Sequence, residues 1–322
     1  RFFSNSESIR PDMKFALVFP GQGSQSIGMM TAYGGNPVVR ATFDEASAAL
    51  GRDLWQLVTE GPAEALNLTV NTQPLMLTAG VAVYRLWLEK GGRIPNMVAG
   101  HSLGEYSALV AAGVLRFSDA VPLVELRAKA MQEAVPAGEG AMAAILGLDA
   151  TAVTEACLEC AQGQVVEAVN FNTPEQIVIA GHAAAVQRAA DAAKAKGAKR
   201  AVMLPVSAPF HCSLMKPAAE RLRQKLADLS LSAPQVPVVN NADVACLSEP
   251  QEIKDALVRQ AASPVRWVET MQTMANHGVS HVYECGPGKV LAGLVKRCAD
   301  GLAGGAMADL AGLEAALAAT NA

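Results

Sequence analysis

The sequence predicts an α/β fold in which a small domain interrupts a larger one. Strand-like apolar runs alternate with amphipathic helical stretches along most of the 322 residues. Hydrophobic residues make up 51% of the chain but aromatic residues only 5%, and this Ala-, Leu- and Val-rich composition favours helices packed on a parallel sheet. The middle of the chain departs from this alternation and reads as a separate β-α-β-β-α-β unit.

The larger part supplies four candidate parallel strands. They are predicted at residues 15–19, 97–100, 236–240 and 279–284. Two amphipathic stretches, 248–260 and 264–277, are predicted as helices, and a third helix is predicted at 213–228.

The small domain begins after a Pro/Gly hinge at residues 136–140 and ends where Ser207, Ala208 and Pro209 break the pattern. The elements in between predict a ferredoxin-like arrangement: strands 141–148, 165–171, 176–180 and 199–206 with helices 151–160 and 183–196. We therefore predict a small domain over 137–207 and a discontinuous large domain over 13–136 and 208–322. Residues 1–12 are predicted to be an added or disordered leader before a start at Met13.

Composition and charge disfavour several classes of function. The 26 basic and 30 acidic residues sum to −4, without the basic excess of a general nucleic-acid binder. The uncharged stretch 65–84 contains Asn67, Asn71, Thr72, Gln73 and Pro74, which a lipid-exposed helix would not tolerate together. Residues 1–12 lack the apolar segment of a signal peptide. We expect no membrane segment and a cytoplasmic location.

Metal and disulfide chemistry are also not expected. A cytoplasmic chain of this size is predicted to keep its six cysteines as free thiols. Cys157 and Cys160 form a single C-x-x-C inside a predicted helix, and no second pair completes a zinc site.

Residues 100–104 read Gly-His-Ser-Leu-Gly and fit the G-x-S-x-G pattern of a nucleophile elbow. They follow a short apolar strand and open a helical stretch, so the turn would expose Ser102 beside a helix N-terminus. This context favours Ser102 as a nucleophile over an ordinary N-cap serine.

Among the five histidines, His211 is the preferred base for Ser102. It follows a rigid apolar loop, where a partly dry imidazole can accept a proton, although a histidine at a helix start is the alternative. His101 adjoins Ser102, so its side chain is expected to point away from the serine oxygen. No acidic residue stands out as an orienting partner, and a Ser-His dyad held by a backbone carbonyl or an amide is as consistent as a triad. Cys212 is a weaker, rival nucleophile.

Two glycine-containing loops follow predicted strands. Residues 19–25, Phe-Pro-Gly-Gln-Gly-Ser-Gln, match neither the dinucleotide fingerprint nor a P-loop. The carboxyl ends of parallel strands meet at one edge, so the N–H groups of Gln22 and Leu103 are candidates for an oxyanion hole. Residues 286–289, Gly-Pro-Gly-Lys, are either a structural turn, which we favour, or a phosphate cradle.

Taken together, these motifs resemble the malonyl-CoA:acyl carrier protein transacylases. The resemblance covers nearly all of residues 13–300 and rests on six segments in the same order: 19–25, 100–107, 126–132, 169–172, 208–212 and 286–289. It implies a hydrolase-like parallel-sheet core with an inserted ferredoxin-like domain.

The resemblance also implies roles for individual residues. Ser102 would be the acyl nucleophile and His211 the base, and the backbone of Gln260 would orient the histidine. Arg127, which spacing alone does not single out, would bind the malonyl carboxylate.

The remaining implied site residues are the oxyanion donors Gln22 and Leu103, and Asn170, which would line the site. Phe210 departs from family members that have a small residue there, and it is expected to disfavour branched acyl groups.

The implied reaction is a ping-pong transfer. Malonyl-CoA would acylate Ser102, and the phosphopantetheine thiol of an acyl carrier protein would accept the malonyl group, with no resident cofactor or metal. The basic stretch 188–200 is one candidate surface for the acidic carrier; a solvated helix end is the alternative. A serine esterase or thioesterase, and a non-catalytic carrier-binding subunit, remain as other classes of function.

Overall fold

The computed structural model describes residues 12–206 and 208–322. The leader predicted at residues 1–12 therefore lies, except for Asp12, outside the described residues, and Ser207 does too. Within the described ranges, no helix combines the length and the apolar composition that crossing a bilayer requires.

A parallel sheet forms the centre of the larger part. Its strand order is β7-β2-β1-β8-β9, and neighbouring strands run parallel throughout. All five residues of the central strand β1 are buried, as expected for a strand covered on both faces. The strands are β1 (Phe15–Phe19), β2 (Met97–Gly100), β7 (Val238–Val239), β8 (His281–Glu284) and β9 (Ala303–Ala306).

Helices cover both faces of this sheet. Alternate β1 residues separate its two cores: Phe15, Leu17 and Phe19 belong to one, and Ala16 and Val18 belong to the other. The helices of this part are α1 (Pro37–Leu50), α2 (Leu54–Glu60), α3 (Ala63–Leu66), α4 (Thr69–Glu89), α5 (Gly104–Ala111), α6 (Phe117–Glu133), α9 (Lys216–Ala227), α10 (Pro250–Ala261), α11 (Trp267–Asn276), α12 (Val290–Cys298) and α13 (Leu310–Thr320).

An antiparallel sheet of strand order β4-β5-β3-β6 forms the smaller part. Two helices pack on it through a small apolar core that includes Ile145, Val153 and Val186. In chain order its elements are β3 (Gly140–Leu146), α7 (Ala150–Cys160), β4 (Val166–Thr173), β5 (Gln176–His182), α8 (Ala183–Ala195) and β6 (Arg200–Met203). This is the ferredoxin-like order, so the predicted fold class is confirmed; the domain bounds 137–207 stay a prediction.

Several predicted elements are shorter in the structure, and proline explains two of them. The strand predicted at 236–240 spans Val238–Val239, after Pro237, which has no N–H to donate to a ladder. The helix predicted at 248–260 begins at Pro250, a favoured first helical residue. The helix predicted at 264–277 begins only at Trp267, because the Val265 N–H donates to the Val169 carbonyl at 2.7 Å and extends toward β4.

Candidate active site

Ser102 lies on a sharp turn between β2 and α5. Its φ of 55° is in the left-handed region, which a residue with a Cβ adopts only at a cost. The turn is so tight that a Cβ on Gly100 would lie 1.8 Å from the Gly104 carbonyl oxygen. The two glycines of the motif are therefore required by close backbone contact, and the serine hydroxyl is held out from the sheet edge.

His211 is paired with this serine. Its Nε2 lies 2.6 Å from Ser102 Oγ, and its Nδ1 lies 2.9 Å from the backbone oxygen of Gln260 at the end of α10. A carbonyl oxygen can only accept, so Nδ1 carries the proton and Nε2 is free to accept from the hydroxyl. Burial, and then the charge of Arg127, lower the pKa of His211 from 6.5 to about 3, which keeps the imidazole neutral.

The four other histidines have different partners. His101 Nε2 donates to Asn172 Oδ1 at 2.7 Å, and its ring lies 5.3 Å from that of Trp267. His182 Nδ1 accepts from the Val165 N–H, His277 Nδ1 donates to the Thr273 carbonyl, and His281 Nδ1 pairs with the Ser280 hydroxyl.

The rival nucleophile Cys212 is also occupied. Its thiol is buried and contacts the Pro209 carbonyl at 3.1 Å, and burial raises its pKa to about 12. A thiol with so high a pKa is a poor nucleophile near neutral pH.

Asn241, which no sequence motif singled out, forms hydrogen bonds with two backbone groups of the Ser102 turn. Its Oδ1 accepts from the Ser102 N–H at 2.9 Å, and its Nδ2 donates to the Gly100 carbonyl at 2.7 Å. Asn241 is itself fixed, because its N–H donates to the buried carboxyl group of Glu105 at 2.5 Å. Burial raises the pKa of Glu105 to about 8. The position of Asn241 just after a strand end was the signal available in the sequence.

The loop after β1 packs directly against this turn. A Cβ on Gly21 would lie 2.6 Å from the His101 carbonyl oxygen and 3.6 Å from the Leu103 nitrogen. Gln22 and Leu103 both line the same cavity as Ser102. The two expected oxyanion donors are thus brought together beside the serine.

Arg127 reaches the site from the middle of α6. Its side chain is buried; Nη1 donates to Gln73 Oε1 at 2.8 Å, and Nη2 donates to Gln260 Oε1 at 3.0 Å and to Ser102 Oγ at 3.3 Å. The guanidinium also lies 5.3 Å from the centre of the Tyr106 ring. In residues 12–206 and 208–322 no carboxylate forms an ion pair with this buried guanidinium.

These groups surround one cavity of about 120 Å³ between the two sheets. The Asn170 Oδ1 is buried there without a hydrogen-bond partner. Phe210 forms part of the cavity wall next to His211. The lining residues are Gln22, Gln73, His101, Ser102, Leu103, Arg127, Met142, Asn170, Leu204, Val206, Phe210 and His211. Gln73 was not identified as a site residue from the sequence, where it appeared only as a polar residue in an apolar helix.

The three remaining sequence features, the 286–289 turn, the C-x-x-C pair and the basic stretch 188–200, lie outside this cavity. The 286–289 turn joins β8 to α12, whose Ala292 N–H already donates to Glu284 Oε1 at 3.0 Å. Cys157 and Cys160 are free thiols, and no group of metal-ligating side chains occurs among the described residues. In the basic stretch, Arg188 donates to the Cys160 and Ala161 carbonyls at the end of α7. Lys196 forms an ion pair with Glu159, so its charge is already partnered.

The fold and this serine–histidine pair define a class of enzymes that carry an acyl group on a serine. A family model described as an acyl transferase domain matches residues 16–316. The malonyl CoA-acyl carrier protein transacylase of Salmonella typhimurium is 59% identical over 305 residues, which are 94% of this chain and 99% of that protein.

Solved structures agree with this. An acyl-carrier-protein S-malonyltransferase from Burkholderia pseudomallei is 61% identical, covers 95% of this chain and 100% of its own, and superposes with a TM-score of 0.93. A malonyl-transacylase in complex with its type II PKS acyl-carrier protein is 55% identical, covers 95% of this chain and 99% of its own, and has a TM-score of 0.94. The chain therefore belongs to the acyl transferase family and, within it, to the malonyl CoA-acyl carrier protein transacylases, as the sequence resemblance implied.

Proposed function

We propose that this protein transfers a malonyl group from malonyl-CoA to the phosphopantetheine thiol of an acyl carrier protein, in fatty acid biosynthesis in the cytoplasm. The observation that carries the proposal is the buried Arg127 guanidinium, which lies 3.3 Å from the Ser102 hydroxyl and forms no ion pair with a carboxylate of the described residues. A guanidinium can bind a planar carboxylate through two parallel hydrogen bonds. An acyl group that reaches Ser102 with its own carboxylate would neutralise this cation.

In the first half-reaction, Ser102 Oγ attacks the thioester carbonyl while His211 Nε2 takes its proton. The resulting oxyanion is stabilised by the N–H groups of Gln22 and Leu103. The C–S bond then breaks, His211 returns the proton to the sulfur, and CoA leaves as its thiol. The malonyl group remains as an ester on Ser102, with its carboxylate on Arg127.

The second half-reaction reverses these proton transfers. The phosphopantetheine thiol of the carrier gives its proton to His211 and attacks the ester, the C–O bond breaks, and Ser102 recovers its proton. The Gln260 carbonyl keeps Nδ1 protonated in both halves, so one histidine serves as base and then as acid. The only prosthetic group in this scheme belongs to the carrier protein.

The proposal is tested by incubating the protein with radiolabelled malonyl-CoA and measuring label on the protein. We expect label on the wild type, no label on Ser102→Ala, and transfer of the label to added phosphopantetheinylated carrier protein. The elbow serine contributes little packing, so the variant should keep its circular dichroism spectrum.

Two outcomes would contradict the proposal. Release of free malonate at the same rate with and without carrier would indicate the esterase or thioesterase alternative. Label that persists on Ser102→Ala, for example on Cys212, would show that the nucleophile is a different residue.

A further inference from the structure

A continuous chain of hydrogen bonds joins Arg127 to the loop after β1. Arg127 Nη1 donates to Gln73 Oε1 at 2.8 Å, and Gln73 Nε2 donates to Thr69 Oγ1 at 3.2 Å. The Thr69 hydroxyl then donates to Gln22 Oε1 at 2.8 Å. Thr69 and Gln73 are one turn apart on α4, and both side chains are buried.

Arg127 determines the orientation of the Gln73 amide in this chain. A guanidinium only donates, so the Gln73 amide must present its oxygen to Arg127 and its NH₂ to Thr69. The threonine hydroxyl has to accept there, and its own proton is directed to Gln22.

The side chain of Thr69 is not needed by its own helix. Thr69 is the first residue of α4, but its hydroxyl bonds to Gln22 and Gln73 rather than to backbone. Thr72, one turn-length further, behaves in the ordinary local way: its hydroxyl donates to the Leu66 and Leu68 carbonyls at 2.6 and 3.0 Å. The two buried threonines can therefore be compared by substitution: the Thr69 hydroxyl bonds to side chains of the site, and the Thr72 hydroxyl bonds to backbone carbonyls at the start of α4.

The two ends of the chain are the two anchors of the proposed substrate. Arg127 would bind the distal carboxylate, and the Gln22 backbone would bind the thioester oxygen. In a malonyl group a single methylene separates these two carbonyl carbons, so both anchors are satisfied only at one separation.

We propose that Thr69 is a positioning residue that sets the distance between Arg127 and the Gln22 loop, and so selects a three-carbon over a four-carbon dicarboxylic acyl group. This inference rests on the proposed function. Loss of the hydroxyl would free the Gln22 side chain and release the NH₂ of Gln73. A substrate held at both anchors should then suffer more than one held at a single anchor.

The test compares Thr69→Val, Thr69→Ser and Thr72→Val with the wild type, using malonyl-CoA, succinyl-CoA and acetyl-CoA. We expect Thr69→Val to lower kcat/KM for malonyl-CoA about tenfold, mostly through kcat, because the two neutral hydrogen bonds of the hydroxyl are lost. Acetyl-CoA should lose less, and the preference for malonyl-CoA over succinyl-CoA should shrink. Thr69→Ser should restore the preference, and Thr72→Val should leave it unchanged whatever its effect on Tm.

An equal loss for malonyl-CoA and acetyl-CoA in Thr69→Val, or an unchanged malonyl-to-succinyl ratio, would overturn the inference. A ratio that shifts equally in Thr72→Val would do the same, because the effect would then come from α4 as a whole. Failure of the proposed function is recognised separately, since the wild type would then form no malonyl-enzyme.

Discussion

The proposed reacting pair, Ser102 and His211, and the proposed carboxylate clamp, Arg127, are built on different kinds of backbone. Ser102 and His211 both have positive φ, 55° and 67°, and both lie on turns between regular elements. Arg127 lies in the middle of the 17-residue helix α6, where the backbone has ordinary helical conformation. The three side chains nevertheless meet, because Arg127 Nη2 and His211 Nε2 both contact Ser102 Oγ.

This difference shows how each half of the site is kept in place. Residues with positive φ are retained only where neighbours hold them, and here Asn241 clamps the Ser102 turn while the Gln260 carbonyl and side chain hold His211 and Arg127. Arg127, by contrast, needs no unusual backbone conformation. Its side chain is held by burial and by hydrogen bonds to the amides of Gln73 and Gln260. We therefore expect changes in the reacting pair to affect every substrate, and changes in the clamp, at neutral pH, to affect mainly charged acyl groups.

The largest effect is expected for His211→Ala. Removal of a positioned general base should slow both half-reactions by about 10²–10⁴, for malonyl-CoA and acetyl-CoA alike, as single-turnover kinetics of acylation and deacylation can show. His101→Ala is the matched control, because His101 donates to Asn172 instead of the serine. A larger loss in His101→Ala than in His211→Ala would mean that the wrong histidine has been assigned as the base.

A smaller and selective effect is expected for Arg127→Ala. An unpaired buried carboxylate costs about 3–5 kcal/mol, so kcat/KM for malonyl-CoA should fall by about 10²–10³. Acetyl-CoA has no carboxylate and should lose little, and Arg127→Lys should restore malonyl transfer only in part, since lysine lacks the planar fork. Steady-state kinetics with both substrates measure this. Equal losses would place Arg127 with the structural residues and remove the contrast between the two halves.

The smallest effect concerns pH. Because the pKa of His211 is lowered to about 3, acylation by acetyl-CoA should stay nearly constant from pH 8 to pH 5. A histidine with the ordinary pKa of 6.5 would by then have slowed it roughly thirtyfold. Arg127→Gln removes the second cause of the lowering, so its acid limb should move to higher pH. A midpoint near pH 6.5 in the wild-type rate profile would show that burial and Arg127 do not lower the pKa of His211.

The same pKa affects stability in a defined direction. The folded-state pKa lies below the unfolded-state value, so the unfolded chain binds the His211 proton more readily between pH 6.5 and 3. The stability associated with a neutral His211 is complete above this window and is lost as the pH falls through it. Urea denaturation of the wild type and His211→Ala at pH 7 and pH 5 measures the difference.

The sequence alone was sufficient for the class of fold and for the turn that carries the proposed nucleophile. The alternation of strands and helices, and the β-α-β-β-α-β order in the middle, are periodic patterns that survive uncertainty of a few residues at each boundary. Ser102 was identifiable because a tight strand-to-helix turn requires glycines at fixed spacing, and these glycines lie within two residues of the serine in the sequence. Local steric requirements of this kind leave a local signature.

Only the tertiary structure decided which distant groups meet at that serine. His211, Gln260, Asn241 and Gln73 come from four separate segments, and the hydrogen bonds by which they contact the site impose no pattern on the residues beside them. Arg127 was reached from the sequence by resemblance alone, since a buried arginine and a solvated one look the same in an amphipathic helix. Burial and hydrogen-bond partners are properties of the packed molecule, and they are what support the proposed role of this guanidinium in carboxylate binding.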